Sequence, residues 1–166
     1  MAQTALGFGI IVALAGLFAI PMTTAGKGKD LSVPLVPGEK ERCPVCGMFV
    51  SPYPEWVGQV RHDDGTTVFF DGSKDLFKYL LSLDRFAPDK TRRNVAAVFV
   101  TNYYDGEVIT ARTAFFVVGS NVMGPMGPDL VPHRSLEAAQ DFAQDHDGLR
   151  ILRFDEITSA MLRATL

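Results

Sequence analysis

Apolar and polar positions divide the chain into three stretches with different patterns. Residues 6–22 (LGFGIIVALAGLFAIPM) are uncharged throughout, and residues 26–41 show no apolar period. From residue 42 to about 158, periods of two and of three to four alternate, which predicts strands and amphipathic helices in turn. In that last stretch residues 55–61 (EWVGQVR) alternate as a strand. Asp63-Asp64-Gly65 is a turn, and residues 67–70 (TVFF) form the second arm of a hairpin. Asp71-Gly72-Ser73 supplies turn and N-cap chemistry for a helix over 74–83, with Leu76, Phe77, Leu80 and Leu81 on its apolar face. Beyond Pro88 a β-branched run at 94–101, a turn at Asp105-Gly106 and a short strand at Val108-Ile109 complete the first half.

The same order then recurs. Residues 112–118 read as a strand, 119–127 as a Gly-, Pro- and Met-rich loop, and Leu130-Val131 as a short strand. Ser135 caps a helix running to about residue 145 on Leu136, Ala139 and Phe142, and residues 150–154 close as a strand. The predicted fold class is therefore α+β, built from two ββαβ-type units at about 42–110 and 111–158. Neither unit can bury its own sheet alone, so the two are expected to pack together or share a sheet. Residues 159–166 read as a C-terminal tail.

The N-terminal stretches add a location. The apolar run at 6–22 is followed by small residues, so residues 1–25 read as a signal peptide or a membrane anchor. Either places the remainder outside the cytoplasm. No cysteine precedes Cys43, so there is no lipobox. Residues 26–41, with Gly26, Gly28, Pro34, Pro37 and Gly38 among mixed charges, read as an extended, flexible linker.

Composition then removes whole classes of function. A net charge of −3 lacks the basic footprint that phosphate binding needs, so nucleic acid is not an expected partner. Two cysteines are too few for a disulfide scaffold. The chain contains no G-x-S-x-G, H-E-x-x-H, P-loop or G-x-G-x-x-G string, which points to a binding protein and not an enzyme.

Both cysteines fall in Cys43-Pro44-Val45-Cys46-Gly47-Met48. Two sulfurs spaced C-x-x-C can converge on one ion, and Met48 adds a neutral thioether, a donor set that suits Cu(I) better than hard cations. A disulfide or redox pair, or half of a Zn(II) site, is compatible with the same spacing. The redox reading is weakened by Gly47, Pro52 and Pro54, which oppose the helix that follows a thioredoxin-like pair. Met126, between Pro125 and Gly127 in a loop poor in apolar bulk, is a stronger thioether candidate than Met123. Of the three histidines, His133 is the candidate ligand; His62 adjoins a hairpin turn and His146 a helix end, where surface or capping roles suffice. Asp71 and Asp75 flank a helix start and read first as capping groups. A second reading makes Asp71, Asp129 or His133 harder donors to a second ion such as Zn(II).

The strings Cys43-Pro44-Val45-Cys46-Gly47-Met48, Phe69-Phe70-Asp71-Gly72-Ser73-Lys74-Asp75, Val117-Val118-Gly119-Ser120 and Gly124-Pro125-Met126-Gly127, in that order, resemble the NosL family over residues 42–157. These are accessory proteins of nitrous oxide reductase. The resemblance implies an exported Cu(I) chaperone that hands its ion to the maturing apo-reductase, assisted by an ABC-type transporter. Two features depart from the family pattern. The lipid-bearing N-terminal cysteine of many relatives is absent, and Pro128 stands where relatives often carry a histidine two residues after the Met of the GPMG string. His133, five residues on, is the candidate replacement. The alternative function is an exported thiol–disulfide protein using Cys43 and Cys46, which would have no need of Met48 or Met126.

Overall fold

The structure, a computed structural model, describes residues 30–165 together with Met1. The apolar segment at 6–22 lies outside the described residues. Among those described, no helix is long and apolar enough to cross a membrane.

The first unit contains β1 (Gly58–His62), β2 (Thr67–Phe70), α1 (Ser73–Leu81), α2 (Leu83–Phe86), β3 (Val95–Thr101) and β4 (Val108–Thr110), its sheet ordered β2-β1-β3-β4. The second contains β5 (Phe115–Val118), a small hairpin of β6 (Met123–Gly124) and β7 (Gly127–Pro128), β8 (Val131–His133), α3 (Leu136–Asp145) and β9 (Arg150–Arg153). Its sheet is ordered β8-β5-β9. Setting aside the β6–β7 hairpin and the edge strand β4, each unit runs strand, strand, helix, strand. In each the first strand lies between the other two, and every pairing is antiparallel. The expected pair of ββαβ units is present, as two sheets and not one.

A shared core joins them. Leu76 of α1 packs on β1 so closely that a Cβ at Gly58 would stand 2.7 Å from its Cδ1. The neighbouring Phe77 meets Phe116 of β5 edge to face at 5.1 Å. Helix α1 is thus covered by the first sheet on one side and by the second on the other. The opposite face of β5 presents Val117, which with Val131, Ala139 and Phe142 forms the smaller core under α3. The layers run sheet, α1, sheet, α3.

Several boundaries differ from the sequence pattern, each for a physical reason. Glu55 and Trp56, expected at the head of a strand, fall in a 3-10 turn (Pro54–Trp56) because Pro54 occupies its first position. β1 does not alternate in burial. Its second face is covered by the chain before it: Gln59 exchanges two hydrogen bonds with the Leu35 backbone, at 2.9 and 3.1 Å, and Arg61 donates to the carbonyls of Asp30 and Val33. The segment at 30–36 has no helix or strand of its own, yet it is pinned against the sheet. The expected 119–127 loop folds into the β6–β7 hairpin. The expected C-terminal tail is α4 (Ser159–Thr165), corrected here because Met161 and Leu162 are buried in the main core. Ser135 caps α3 as expected, its Oγ accepting from the Ala138 N–H at 3.1 Å.

Candidate metal centre

The cysteine motif is a closed loop. The Cys43 N–H donates to the Met48 carbonyl at 2.9 Å and the Gly47 N–H to the Cys43 carbonyl at 2.8 Å, while Arg42 and Phe49 form a β-bridge at its mouth. Gly47 has φ +81°, a left-handed conformation that glycine adopts without the clash a Cβ would bring. This folding brings both sulfurs to the same side. Cys43 is 1% exposed and Cys46 half-buried, and neither forms a disulfide.

Two carboxylates meet them. Asp71 directly follows β2, and Asp75 lies in the first turn of α1. The Cys46 Sγ lies 3.2 and 3.4 Å from the Asp71 oxygens, and the Cys43 Sγ 3.6 Å from Asp75 Oδ2. All four ligand atoms lie within 4.8 Å of one another, in the one such group among the described residues. Burial pushes the Cys46 thiol up to about 11 and the Cys43 thiol higher still. Backbone N–H groups oppose the shift, and Asp71 adds to it through hydrogen bonding and its charge. Both thiols are therefore protonated at neutral pH, each with a carboxylate oxygen as acceptor. A cation held here would have to displace those protons and would find two soft and two hard donors.

Asp71 and Asp75, expected first as caps, are instead the polar partners of the cysteines. Capping of α1 comes from elsewhere, since Gly72 at its N-cap has no side chain to accept from the free N–H groups. Asp129 accepts the Lys74 N–H at 2.6 Å and the Leu130 N–H at 2.7 Å. It is buried between two glycines: a Cβ at Gly72 would meet its Oδ2 at 2.2 Å and one at Gly124 at 3.0 Å. Burial raises its carboxyl to about 7, against the pull of those N–H groups and of Lys74.

Met126 occupies the tip of the β6–β7 hairpin, where Gly124 pairs with Gly127 and leaves Pro125 and Met126 as the turn. Its side chain is exposed. Lys74, adjacent to Asp75 and buried, donates through Nζ to the Met126 carbonyl at 2.9 Å and to that of Pro128 at 2.6 Å. The hairpin is therefore fastened to the same helix start that carries Asp71 and Asp75. Met48 is half-buried at the rim of the cysteine loop, beside an open depression of about 390 Å³ lined also by Arg42, Cys46, Phe49 and Tyr53. Met123 is exposed on β6.

His133 does not join the group and is corrected as its ligand. It is fully buried in the second unit, its ring centre 4.7 Å from that of Phe142 and 5.6 Å from that of Tyr104, with neither ring nitrogen hydrogen-bonded. Burial and the charge of His146 lower its pKa to about 4. The replacement for the family histidine fails because β8 points this ring into the α3 core. His62, expected at the surface, is buried and bonded to the Tyr79 hydroxyl at 2.9 Å; His146 ends α3 as expected.

Comparison with known proteins agrees with this geometry. The family model described as NosL matches residues 34–162. A copper-binding lipoprotein NosL from Stutzerimonas stutzeri is 30% identical over 154 residues, covering 90% of this chain and 80% of that protein. The crystal structure of the copper chaperone NosL from Shewanella denitrificans superposes with a TM-score of 0.66 at 28% identity, over 77% of this chain and 97% of that one. A solution structure of apo-NosL from Achromobacter cycloclastes matches with a TM-score of 0.47 at 27% identity, over 63% and 87% of the two chains. With the ordered motifs, the thiol–carboxylate group and the two-unit topology in place, this chain belongs to the NosL family.

Proposed function

We propose that the chain is an exported Cu(I) carrier that delivers copper to maturing nitrous oxide reductase, with Cys43 and Cys46 as anionic donors and Met126 as the thioether from the second unit. The observation that carries the reading is the convergence of both thiols on one point of the first unit, with a methionine hairpin tied to the same helix start. Thiolate and thioether sulfur select Cu(I) over hard cations. Met48, at the open rim, is the further sulfur donor. The carboxylates of Asp71 and Asp75 give a second ion such as Zn(II) its oxygen ligands. The relatives from Stutzerimonas stutzeri and Shewanella denitrificans are named as a copper-binding lipoprotein and a copper chaperone, in keeping with this cargo and with a place outside the cytoplasm. Handover to the apo-reductase, with an ABC-type transporter alongside, proceeds by ligand exchange: the acceptor's donors enter at the Cys46 side, which faces the depression. Transfer requires that the acceptor bind the ion more favourably.

The thiol–disulfide alternative needs an exposed thiol of lowered pKa. Here one thiol is buried and both are shifted the other way. Anaerobic Cu(I) titration against a competing chelator separates the two readings. Cys43→Ala together with Cys46→Ala should abolish tight binding while far-ultraviolet circular dichroism is unchanged. Undiminished affinity in the folded double variant would remove the copper assignment. Transfer is then tested by mixing the loaded protein with apo-reductase and counting metal in each after separation; copper that stays with the donor excludes delivery.

A further inference from the structure

We infer that Lys74 is a positioning residue of the copper site: through its hold on the β6–β7 hairpin it presents the Met126 sulfur to the cysteine pair. The inference rests on the proposed role of Met126 as a ligand. Lys74 is an unusual residue to bury, since an ammonium taken out of water must be fully hydrogen-bonded. It forms no salt bridge among the described residues. Its Nζ instead spends two donors on the carbonyls of Met126 and Pro128, the residues on either side of Gly127. Gly127 itself has φ +82°, so this turn is held in a left-handed conformation at the point where the ammonium grips it.

The grip has a second jaw. The backbone N–H of the same lysine donates to Asp129, so one residue fixes both the hairpin and the carboxylate at its base. Gly72 and Gly124 leave the space in which that carboxylate sits. Meanwhile Asp75, the next residue along α1, faces the Cys43 thiol, and Asp71 faces Cys46. Among the described residues, Lys74 is the one whose side-chain hydrogen bonds run from the carboxylate-bearing helix start to the methionine hairpin. An exposed methionine on a free two-residue turn samples many rotamers and loses that freedom on binding; a hairpin already held in place loses less.

The test is a double-variant cycle in anaerobic Cu(I) competition titrations of the native chain, Lys74→Met, Met126→Leu and the two combined. Lys74→Met should weaken Cu(I) binding about ten- to a hundredfold, the usual effect of losing a group that orients a metal ligand. Met126→Leu should weaken it similarly, and the combined variant no more than either alone. Lys74→Arg, which keeps a long cationic donor, should recover part of the loss. In protein carrying 13C-methyl methionine, the Met126 methyl resonance should move on copper addition in the native chain and not in Lys74→Met. That signal separates positioning from general loosening, and Lys74→Gln, a shorter neutral side chain that cannot hold both carbonyls, provides the same readout should Lys74→Met fail to fold. If Met126→Leu leaves affinity unchanged, the ligand role of Met126 is wrong. If Met126→Leu weakens binding while Lys74→Met does not, or if the two losses multiply, Met126 stands as a ligand and the role of Lys74 is overturned.

Discussion

Burial raises both thiols most, and Asp71 is the residue whose charge and hydrogen bonding add to that shift at each of them. It accepts from Cys46 and raises both sulfurs, through hydrogen bonding to the protonated form and through its own charge. Removing that charge lets the thiols ionise more readily, so Asp71→Asn should lower the thiolate titration midpoint of Cys46 by about one unit. The thiolate absorbance band followed against pH measures this directly; an unmoved midpoint would show that burial alone sets it. The same protons enter the copper equilibrium. Because the thiols are protonated below their raised pKa values, the proposed Cu(I) cargo would have to displace their protons, and apparent affinity should rise with pH throughout the neutral range. The slope is about tenfold per pH unit for each proton released, read from chelator competition at stepped pH. An affinity independent of pH would mean that the ion binds without the thiolates.

The elements around the site depend on where glycine allows close approach. Gly72→Ala and Gly47→Ala should fail for opposite reasons. At Gly72 the backbone is extended, but the new methyl would stand 2.2 Å from a buried carboxylate oxygen, so the cap on α1 is forced out. At Gly47 there is open space, and the cost is the positive φ alone. Denaturant unfolding should show Gly72→Ala costing about 2–3 kcal/mol and Gly47→Ala about 1 kcal/mol. Equal losses would contradict the capping role of Asp129. This cross-unit cap also marks what could be read from the sequence. The helices α1 and α3 were legible because each buries one face, and burial of one face writes a period into the residues. The hairpin β1–β2, buried on both faces of β1, was legible from its Asp63-Asp64-Gly65 turn, and β3 from its β-branched run. The helix α4 was not, because seven residues carry too little pattern, and its place is decided by the packing of Met161 and Leu162. Of the metal centre, Cys43 and Cys46 announce themselves by spacing. Asp71, Lys74 and Asp75 look like an ordinary helix start until the fold sets the cysteine loop on one side and the methionine hairpin on the other. His133 shows the reverse: a residue type that suggests a ligand, placed by strand register into an aromatic core.

At the scale of the whole molecule, two buried groups give stability opposite dependences on pH. His133 has its pKa lowered to about 4 from an unfolded value near 6.5, so between these values the unfolded chain binds a proton that the folded one refuses. Its contribution to stability is lost as pH falls. Asp129 is raised to about 7 from an unfolded value near 3.8, so the folded chain holds a proton that the unfolded one has released, and its contribution is lost as pH rises. The two oppose each other from about pH 4 to 6.5. Relative to the native chain, His133→Phe should become more stable toward acid and Asp129→Asn less so, each by at most about 1.4 kcal/mol per pH unit. Parallel denaturation curves at pH 4.5, 5.5 and 6.5 would check the signs, and shifts of the same sign in both variants would refute the assignment.

The bond from Asp129 to the start of α1 also sets an order in time. A ribosome makes the cysteine loop first, then the helix with its two carboxylates, and only much later the residue that caps that helix. For that interval the start of α1 lacks the acceptor that closes it, and the loop carrying Cys43 and Cys46 waits beside a helix whose cap is still 55 residues behind.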